Sequence, residues 1–305
     1  MMNIIRITSV NDFKPDESLP DSPFRCQNGN TVRKQELETG VSASVLMKDP
    51  VNTAILGTVS KLLCATEYQT ADALNGLGAV CRYPDIRNRM FRMAGTGLLD
   101  HYRYNSDGHT SSHSFFCVGE MGYRILEAHG KRPDVNPYQP AGEPVRIMKL
   151  LAVNQFLTKT GIPADTVRVG VKIRAPGNTL RAFRSYASAV RDGRTLFLEG
   201  VRLENNWETS LTQKLARVQS VLSDPSALSV PVSNPCMVLI GEDAGHCRQI
   251  MNLLSRERFS FGLLYTSDDL VYSNPDNCLF ELAGGLRNRF REGFGLWQQK
   301  LGLGN

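Results

Sequence analysis

The stretch of residues 85–118 changes from a helical pattern to a strand-like one, and it constrains the fold more than any other part of the sequence. Its first part carries arginines at helical spacing and ends in a corner of small residues at 94–97. Two strand-like runs follow at 98–104 and 114–118, with a polar tip between them. A helix followed by a two-stranded ribbon with a long polar tip is typical of a winged helix-turn-helix.

The residues before this stretch predict the other helices that a helix-turn-helix needs. Apolar residues recur every three to four positions from Val51 to Leu63, which places them on one face of a helix. A second, shorter helix is expected over residues 69–77, and Pro84 suits the first turn of a third. We therefore predict an N-terminal winged-helix DNA-binding domain at residues 51–130.

A second domain is predicted behind a proline-rich connection. Residues 130–143 carry three prolines and two glycines, so we place a linker at 131–143. Helical and strand-like patterns then interleave through residues 144–275, which predicts a mixed α/β sheet covered on both faces. The expected strands are 166–173, 180–186, 195–201, 236–240 and 262–265. The predicted fold class is thus α/β and α+β, in two domains: an N-terminal winged helix-turn-helix and a C-terminal mixed α/β sheet.

The two ends of the chain give weaker patterns. Residues 1–50 are rich in turn-forming residues and are expected to form an extended arm, whose apolar run at 4–10 can pair with a sheet. Residues 276–305 are expected to form a tail, with a last helix over 279–303.

Composition favours a cytoplasmic protein that binds a polyanion. The chain has no apolar run of transmembrane length and no secretory signal, so no membrane association is expected. Its 7 cysteines are scattered, which indicates reduced thiols. The net charge of +5 is modest, yet residues 168–194 hold seven basic residues and a single acidic one, Asp192.

Residue chemistry predicts where double-stranded DNA would bind. Arginine pairs with guanine and asparagine with adenine when a helix enters the major groove. Ribbon residues typically meet phosphates or the minor groove, and the basic strands would add phosphate contacts. The predicted DNA-binding residues are Arg87, Asn88, Arg89 and Arg92 on the third helix, Arg103, Tyr104, His109 and His113 on the ribbon, and Lys172, Arg174, Arg181 and Arg184 on the basic strands.

Catalytic and metal sites are not predicted. Glu199 closes a buried-looking strand, as in divalent-metal nucleases, but those enzymes add an acid on the preceding strand and a lysine two positions after the glutamate. Here Val201 stands at that position, and the nearby lysine is Lys214. Glu199 and Lys214 are therefore weak catalytic candidates. A Mg²⁺ cofactor is expected only if the chain is an active nuclease. On a ribbon, the four-residue spacing of His109, His113 and Cys117 places successive side chains roughly 13 Å apart along the strand, too far for one ion.

Several short motifs carry a family resemblance: RNRMFRMAGTGLL at 87–99, the helix start at 119–122, the helix around 151–157, and 197–199 followed by LTQKLARV at 211–218. Residues 50–265 with these motifs resemble the replication-relaxation family of plasmids and integrative elements. The resemblance implies a winged helix followed by a restriction-endonuclease-like domain. It also implies a role in replication, relaxation or conjugative transfer of a mobile element, or in control of its genes, as a homodimer or with a relaxase or replication protein.

The departure from the family pattern favours an inactive second domain. The family commonly shows Pro-Asp before the glutamate strand, and this chain has no such pair. Three alternatives remain open from the sequence: a winged-helix transcriptional repressor with a dimerisation or sensing domain, a Mg²⁺-dependent DNA nuclease, and a protein–protein adaptor.

Overall fold

A computed structural model describes residues 3–14, 24–25, 31–79, 81–105, 113–130, 143–174, 182–223, 228 and 231–282. Within these residues the chain has a mixed α/β architecture with two sheets and nine α-helices. None of the described helices combines the length and apolar character that crossing a membrane requires.

The first half builds a four-stranded antiparallel sheet that is covered by helices. Its elements are β1 (Ile4–Ile7), β2 (Thr31–Gln35), α1 (Ala43–Leu46), α2 (Pro50–Leu62), β3 (Cys64–Ala65), α3 (Glu67–Gly76), α4 (Tyr83–Gly95), β4 (Leu99–Asn105), β5 (His113–Val118) and α5 (Glu120–Ala128). The strand order of the sheet is β2-β4-β5-β3. The helix starts follow local chemistry, since Asp49 caps α2 and Thr66 forms a capping box with Gln69 at α3.

The apolar periodicity of the first half forms its core. Ile55 and Val59 of α2, Ile86 and Met90 of α4, and Phe116 of β5 lie in one buried cluster. The three predicted helices and the ribbon are therefore confirmed as elements, with bounds that differ from the prediction by a few residues.

The second half forms six strands of a seven-stranded mixed sheet, and β1 is the seventh strand. Its elements are α6 (Pro144–Lys159), β6 (Arg168–Arg174), β7 (Ala182–Arg191), β8 (Arg194–Gly200), α7 (Trp207–Leu222), β9 (Cys236–Gly241), α8 (Ala244–Leu254), β10 (Gly262–Ser267), α9 (Asp268–Ser273) and β11 (Leu279–Leu282). The strand order is β1-β11-β10-β9-β8-β7-β6. The strands β6, β7 and β8 form an antiparallel meander, and β8, β9 and β10 run parallel.

Helices cover both faces of this sheet, as the interleaved pattern predicts. Residues of α7 and α8, such as Leu215 and Ile250, pack with Phe197 and Leu239 on one face. The apolar residues of α6 pack on the other face.

The two halves share a core across the predicted linker. Tyr102 and Phe115 of the first sheet pack in the same buried cluster as Leu151 and Phe156 of α6. In addition, Gln69 Nε2 donates to the carbonyl of Leu151 at 2.7 Å. Burial of both sheets against one helix fixes their relative position.

Both ends of the described chain enter the sheets. Residues 4–7 form β1, which runs parallel to β11 at the edge of the larger sheet, so the apolar run at 4–10 does pair with a sheet. The helix predicted over 279–303 is wrong for residues 279–282, which form β11; the remaining residues of that range lie outside the described part. Residues 31–35, predicted as part of an extended arm, form β2 beside the ribbon.

Candidate nucleic-acid interface

The exposed face of α4 presents one asparagine between two arginines. Ile86, Met90 and Met93 point into the core. Asn88 lies about half a turn away from them, because successive helical residues are about 100° apart. Asn88, Arg87 and Arg92 are all exposed. The helix therefore offers hydrogen-bonding side chains of the types that read base edges.

Arg87 lies on the side of α4 that faces the ribbon. Its guanidinium carbon is 5.7 Å from the centre of the Phe91 ring. Phe91 in turn packs edge-on against His101 of β4, with 4.8 Å between the ring centres. Arg103 follows two positions along β4, so it projects from the same face, and it is exposed. Arg87 and Arg103 therefore lie on the same side of the ribbon.

Arg89 contacts α2. Its Nη1 lies 2.6 Å from Asp49 Oδ2 and 3.0 Å from Asn52 Oδ1. The hydrogen bond from Arg89 is the main reason that the pKa of Asp49 is lowered. Arg89 thus forms an ion pair that joins α4 to α2, and its side chain is part-exposed at the same open cavity as Asn88 and Arg92.

Arg92 and Asn88 line an open cavity beside this ion pair. The cavity has a volume of about 430 Å³ and is also bordered by Asp85 of α4 and Val45 of α1.

The ribbon residues divide between the surface and the core. Tyr104 is buried, and its hydroxyl donates to the carbonyl of Arg25 at 3.0 Å. The predicted DNA contact of Tyr104 is therefore not available in this structure. His113 is half-buried, and burial lowers its pKa. His109 lies outside the described residues.

A third strand extends the ribbon, and the sequence patterns missed it. β2 pairs with β4 so that Arg33 is the Cα partner of Arg103. Val32 packs against the shared core while Arg33 is exposed, which gives the short run an alternating pattern. That alternation is the only local signal, and it is too brief to identify a strand.

The basic strands of the second half are exposed on one face. Lys172 of β6 and Arg184 of β7 are Cα partners, and both are exposed, as is Arg174. The adjacent Ile173 and Phe183 are buried against the α7 cluster, so the basic side chains point away from it. Arg181 lies outside the described residues.

The region around Glu199 holds lysines where a metal nuclease needs further acids. Glu199 ends β8 in a buried position and contacts the ammonium of Lys214 on α7. Burial raises the pKa of Glu199, and the charge of Lys214 opposes this shift. The Lys214 Nζ also lies 5.4 Å from the centre of the Tyr186 ring on β7, a strand without an acidic residue. Nearby, Lys149 of α6 contacts Glu204.

This arrangement neutralises the carboxylates with lysines. Each of Glu199 and Glu204 has an ammonium group against it, which lowers the negative potential that a divalent cation needs. Within the described ranges, no group of three or more His, Cys, Asp or Glu side chains is placed to hold a metal ion.

Cys117, considered as a metal ligand with His109 and His113, faces a second cysteine. Cys64 of β3 is its Cα partner, and both are buried. A hydrogen bond from the Cys117 thiol to Cys64, together with burial, raises the pKa of Cys117 well above its ordinary value. The thiol is therefore neutral and packed in the shared core.

A buried ion pair lies beyond the ends of the parallel strands. Arg202 and Asp268 are both fully buried, with 2.8 Å between Nη2 and Oδ2. Arg202 also donates to the carbonyls of Val201 and Ile240. Neither residue stands out in the sequence, because their pairing depends on the sheet topology. The pair links the end of β8 to α9.

Comparison with known proteins gives no relative for this chain. A scan against protein-family models, a search of curated proteins and a search of solved structures each found no match. The geometry of the described residues and the motifs in the sequence are therefore what supports a function.

Proposed function

We propose that this chain binds double-stranded DNA through a winged helix-turn-helix at residues 51–130. The observation that carries the proposal is the exposed set of Arg87, Asn88 and Arg92 on α4, with Arg103 on the adjoining ribbon. The chain order α2, β3, α3, α4, β4 and β5 supports it, because a third helix followed by a ribbon is how winged helices present a recognition helix.

In this proposal, α4 enters the major groove. A major groove admits one α-helix, and Asn88 would read an adenine while Arg87 and Arg92 read guanines or flanking phosphates. Arg103 on the ribbon would contact the sugar-phosphate backbone, which sets the register of the helix on the duplex. Lys172, Arg174 and Arg184 would add phosphate contacts from the second half.

The second half, in this proposal, is a restriction-endonuclease-like domain that has no nuclease activity. A helix, three antiparallel strands, a second helix and a strand parallel to the third strand are compatible with that fold. The pairing of Glu199 with Lys214 and the lack of an acid on β7 favour the absence of Mg²⁺-dependent cleavage.

The biological setting follows from the resemblance of the motifs to the replication-relaxation family. The protein would act on a plasmid or integrative element, at an origin of replication or transfer or at a promoter. A homodimer, or a complex with a relaxase or replication protein, would then be the assembled form. A cytoplasmic location would follow from such a role.

Selection from a random duplex library tests the proposal. The purified full chain is incubated with random-sequence duplexes at several salt concentrations, and the bound fraction is sequenced. We expect one sequence motif to be enriched, with an affinity that falls steeply as salt rises. Absence of any salt-dependent binding to DNA would contradict the proposal and favour a protein–protein adaptor.

The inactive nuclease domain has its own test. Supercoiled plasmid is incubated with the protein and Mg²⁺ or Mn²⁺ and then resolved on an agarose gel. We expect no nicking above the level of the Glu199→Ala variant. Nicking that this substitution abolishes would contradict the absence of catalysis while leaving DNA binding intact.

A further inference from the structure

Two arginines lie directly opposite each other where the N-terminal segment joins the ribbon. Arg33 of β2 and Arg103 of β4 are Cα partners in an antiparallel pair, and both side chains are exposed. Residues directly opposite in such a pair have their Cβ atoms about 5 Å apart. The two arginine side chains therefore leave the sheet from neighbouring positions, where their guanidinium groups can reach one common anion.

This placement destabilises the folded chain unless an anion neutralises it. Like charges directly opposite in a sheet repel each other. Lys34, the neighbour of Arg33, has a counter-ion, since its Nζ lies 2.8 Å from Asp100 Oδ1. No ion pair of Arg33 or Arg103 with an acidic side chain occurs among the described residues.

Both arginines project on the same side of the sheet as α4. Tyr102 and Tyr104 of β4 point into the core shared with α6. The alternating residues therefore point the other way, and His101 among them packs on Phe91 of α4. Arg33 and Arg103 consequently lie on the surface that also carries Arg87.

We propose that Arg33 and Arg103 together bind one backbone phosphate of duplex DNA, next to the groove that receives α4. This inference rests on the proposed function and extends it to β2, which becomes a third, DNA-contacting strand of the wing. A phosphate between the two guanidinium groups removes their repulsion, and arginine is well suited to phosphate geometry. The contact positions the protein without reading sequence.

The salt dependence of binding tests this site. The dissociation constants of the full chain and of Arg33→Gln are measured by fluorescence anisotropy on the selected duplex and on a random duplex. We expect Arg33→Gln to weaken binding several-fold on both duplexes. The slope of log K against log salt should become shallower by about 0.9, the effect of one lost phosphate contact.

Arg256→Gln is the matched control. Arg256 is an exposed arginine between α8 and β10. Its replacement removes the same charge at a position outside the ribbon and β2. We expect this variant to keep the wild-type slope. Arg103→Gln is measured in the same way. The double variant should lose less binding free energy than the sum of the losses in Arg33→Gln and Arg103→Gln, because the two residues share one phosphate.

The outcomes separate this inference from the proposed function. Wild-type binding with an unchanged slope in Arg33→Gln would overturn the phosphate site and leave the DNA-binding proposal standing. Additive losses in the double variant would overturn the shared phosphate. Complete absence of DNA binding by the wild-type chain would overturn both. A thermal melt of Arg33→Gln at or above the wild-type midpoint is expected, because the substitution removes a repulsion.

Discussion

The amide of Asn154 joins the two halves of the molecule at the point where α2 ends. Its Nδ2 donates to the carbonyl of Leu62 at 3.0 Å and to that of Cys64 at 2.6 Å. Leu63 between them has a φ of 66°, which turns the chain out of the helix. The last carbonyls of a helix have no partner within it, so this buried amide satisfies one of them, that of Leu62, from the other half, and also the carbonyl of Cys64 in β3.

Replacing Asn154 therefore tests the junction. Asn154→Ala leaves buried carbonyls without donors, and we expect the free energy of unfolding to fall by about 1–3 kcal/mol. Urea unfolding followed by circular dichroism measures the change. The control is Asn252→Ala, an exposed position on α8, which should stay within about 0.5 kcal/mol of wild type. Equal effects of the two substitutions would contradict the role of Asn154.

His101 should make stability depend on pH. Burial, with a smaller contribution from the charge of Arg103, lowers the pKa of His101 from 6.5 to about 4. Between those values the unfolded chain binds a proton that the folded chain does not. The free energy of unfolding therefore falls as pH falls from 6.5 toward 4, by up to about 1.4 kcal/mol per pH unit for one proton.

The variant His101→Phe removes the titrating imidazole and keeps an aromatic ring against Phe91 and Phe116. We expect a shallower dependence of unfolding free energy on pH between 5.0 and 6.5, measured by urea titrations. Burial also lowers the pKa of His246 to about 4. Because His246 is present in both proteins, part of the pH dependence of the unfolding free energy remains in each. A variant with the wild-type slope would show that His101 is not held neutral.

At the scale of elements, the sequence predicted helices and strands that have a local signal better than it predicted which strands pair. Apolar periodicity identified α2 and α4, and the continuous apolar run at 236–240 identified β9, because those patterns reflect burial within one element. The sequence did not reveal that β1 pairs with β11, since the partners lie at opposite ends of the described chain. The pairing of β2 with β4 was missed because the alternating pattern of residues 31–35 is too brief to identify a strand.

The candidate interface was predicted only in part. Arg87, Asn88, Arg89 and Arg92 look alike in a sequence, yet the structure exposes three of them and pairs Arg89 with Asp49. Tyr104 alternates with Arg103 as a ribbon residue should, but the face it occupies is covered by α6. Which face of an element is covered depends on its neighbours, and the periodicity of the element alone does not identify them.

The contact between α6 and β8 gives a prediction at this scale. A Cβ added at Gly200 would lie 2.6 Å from the carbonyl oxygen of Lys149 and 2.8 Å from its Cα. Gly200→Ala must push α6 away from the sheet, and we expect a loss of about 1–3 kcal/mol in unfolding free energy. Thermal and urea unfolding measure it.

Gly57 is the matched control for Gly200. A Cβ at Gly57 in the middle of α2 would meet nothing within 4 Å, so Gly57→Ala should stabilise the protein by about 0.5–1 kcal/mol. Opposite signs for the two substitutions are thus expected. A neutral Gly200→Ala would contradict the close packing of α6 on β8.

At the scale of the whole molecule, one shared core holds the two sheets together. α6 packs on the smaller sheet through Leu151 and Phe156 and also covers the larger sheet. The α4 surface and the basic strands are therefore fixed relative to each other. In the proposed function, the first surface determines where the protein sits on DNA, and the second adds contacts to the backbone.

Base reading by α4 is tested with a double variant that removes both exposed arginines of the helix. Affinities of the full chain and of Arg87→Ala with Arg92→Ala are compared on the selected duplex and on a random duplex, at one salt concentration. The control, Arg256→Ala with Arg258→Ala, removes the same charge from an exposed segment between α8 and β10.

If α4 reads base edges, the double variant loses about 1–3 kcal/mol per base contact on the selected duplex and much less on the random one. The control variant should bind both duplexes nearly as well as the wild type does. Equal losses on the two duplexes would contradict the account, because they would show that α4 contacts phosphates alone.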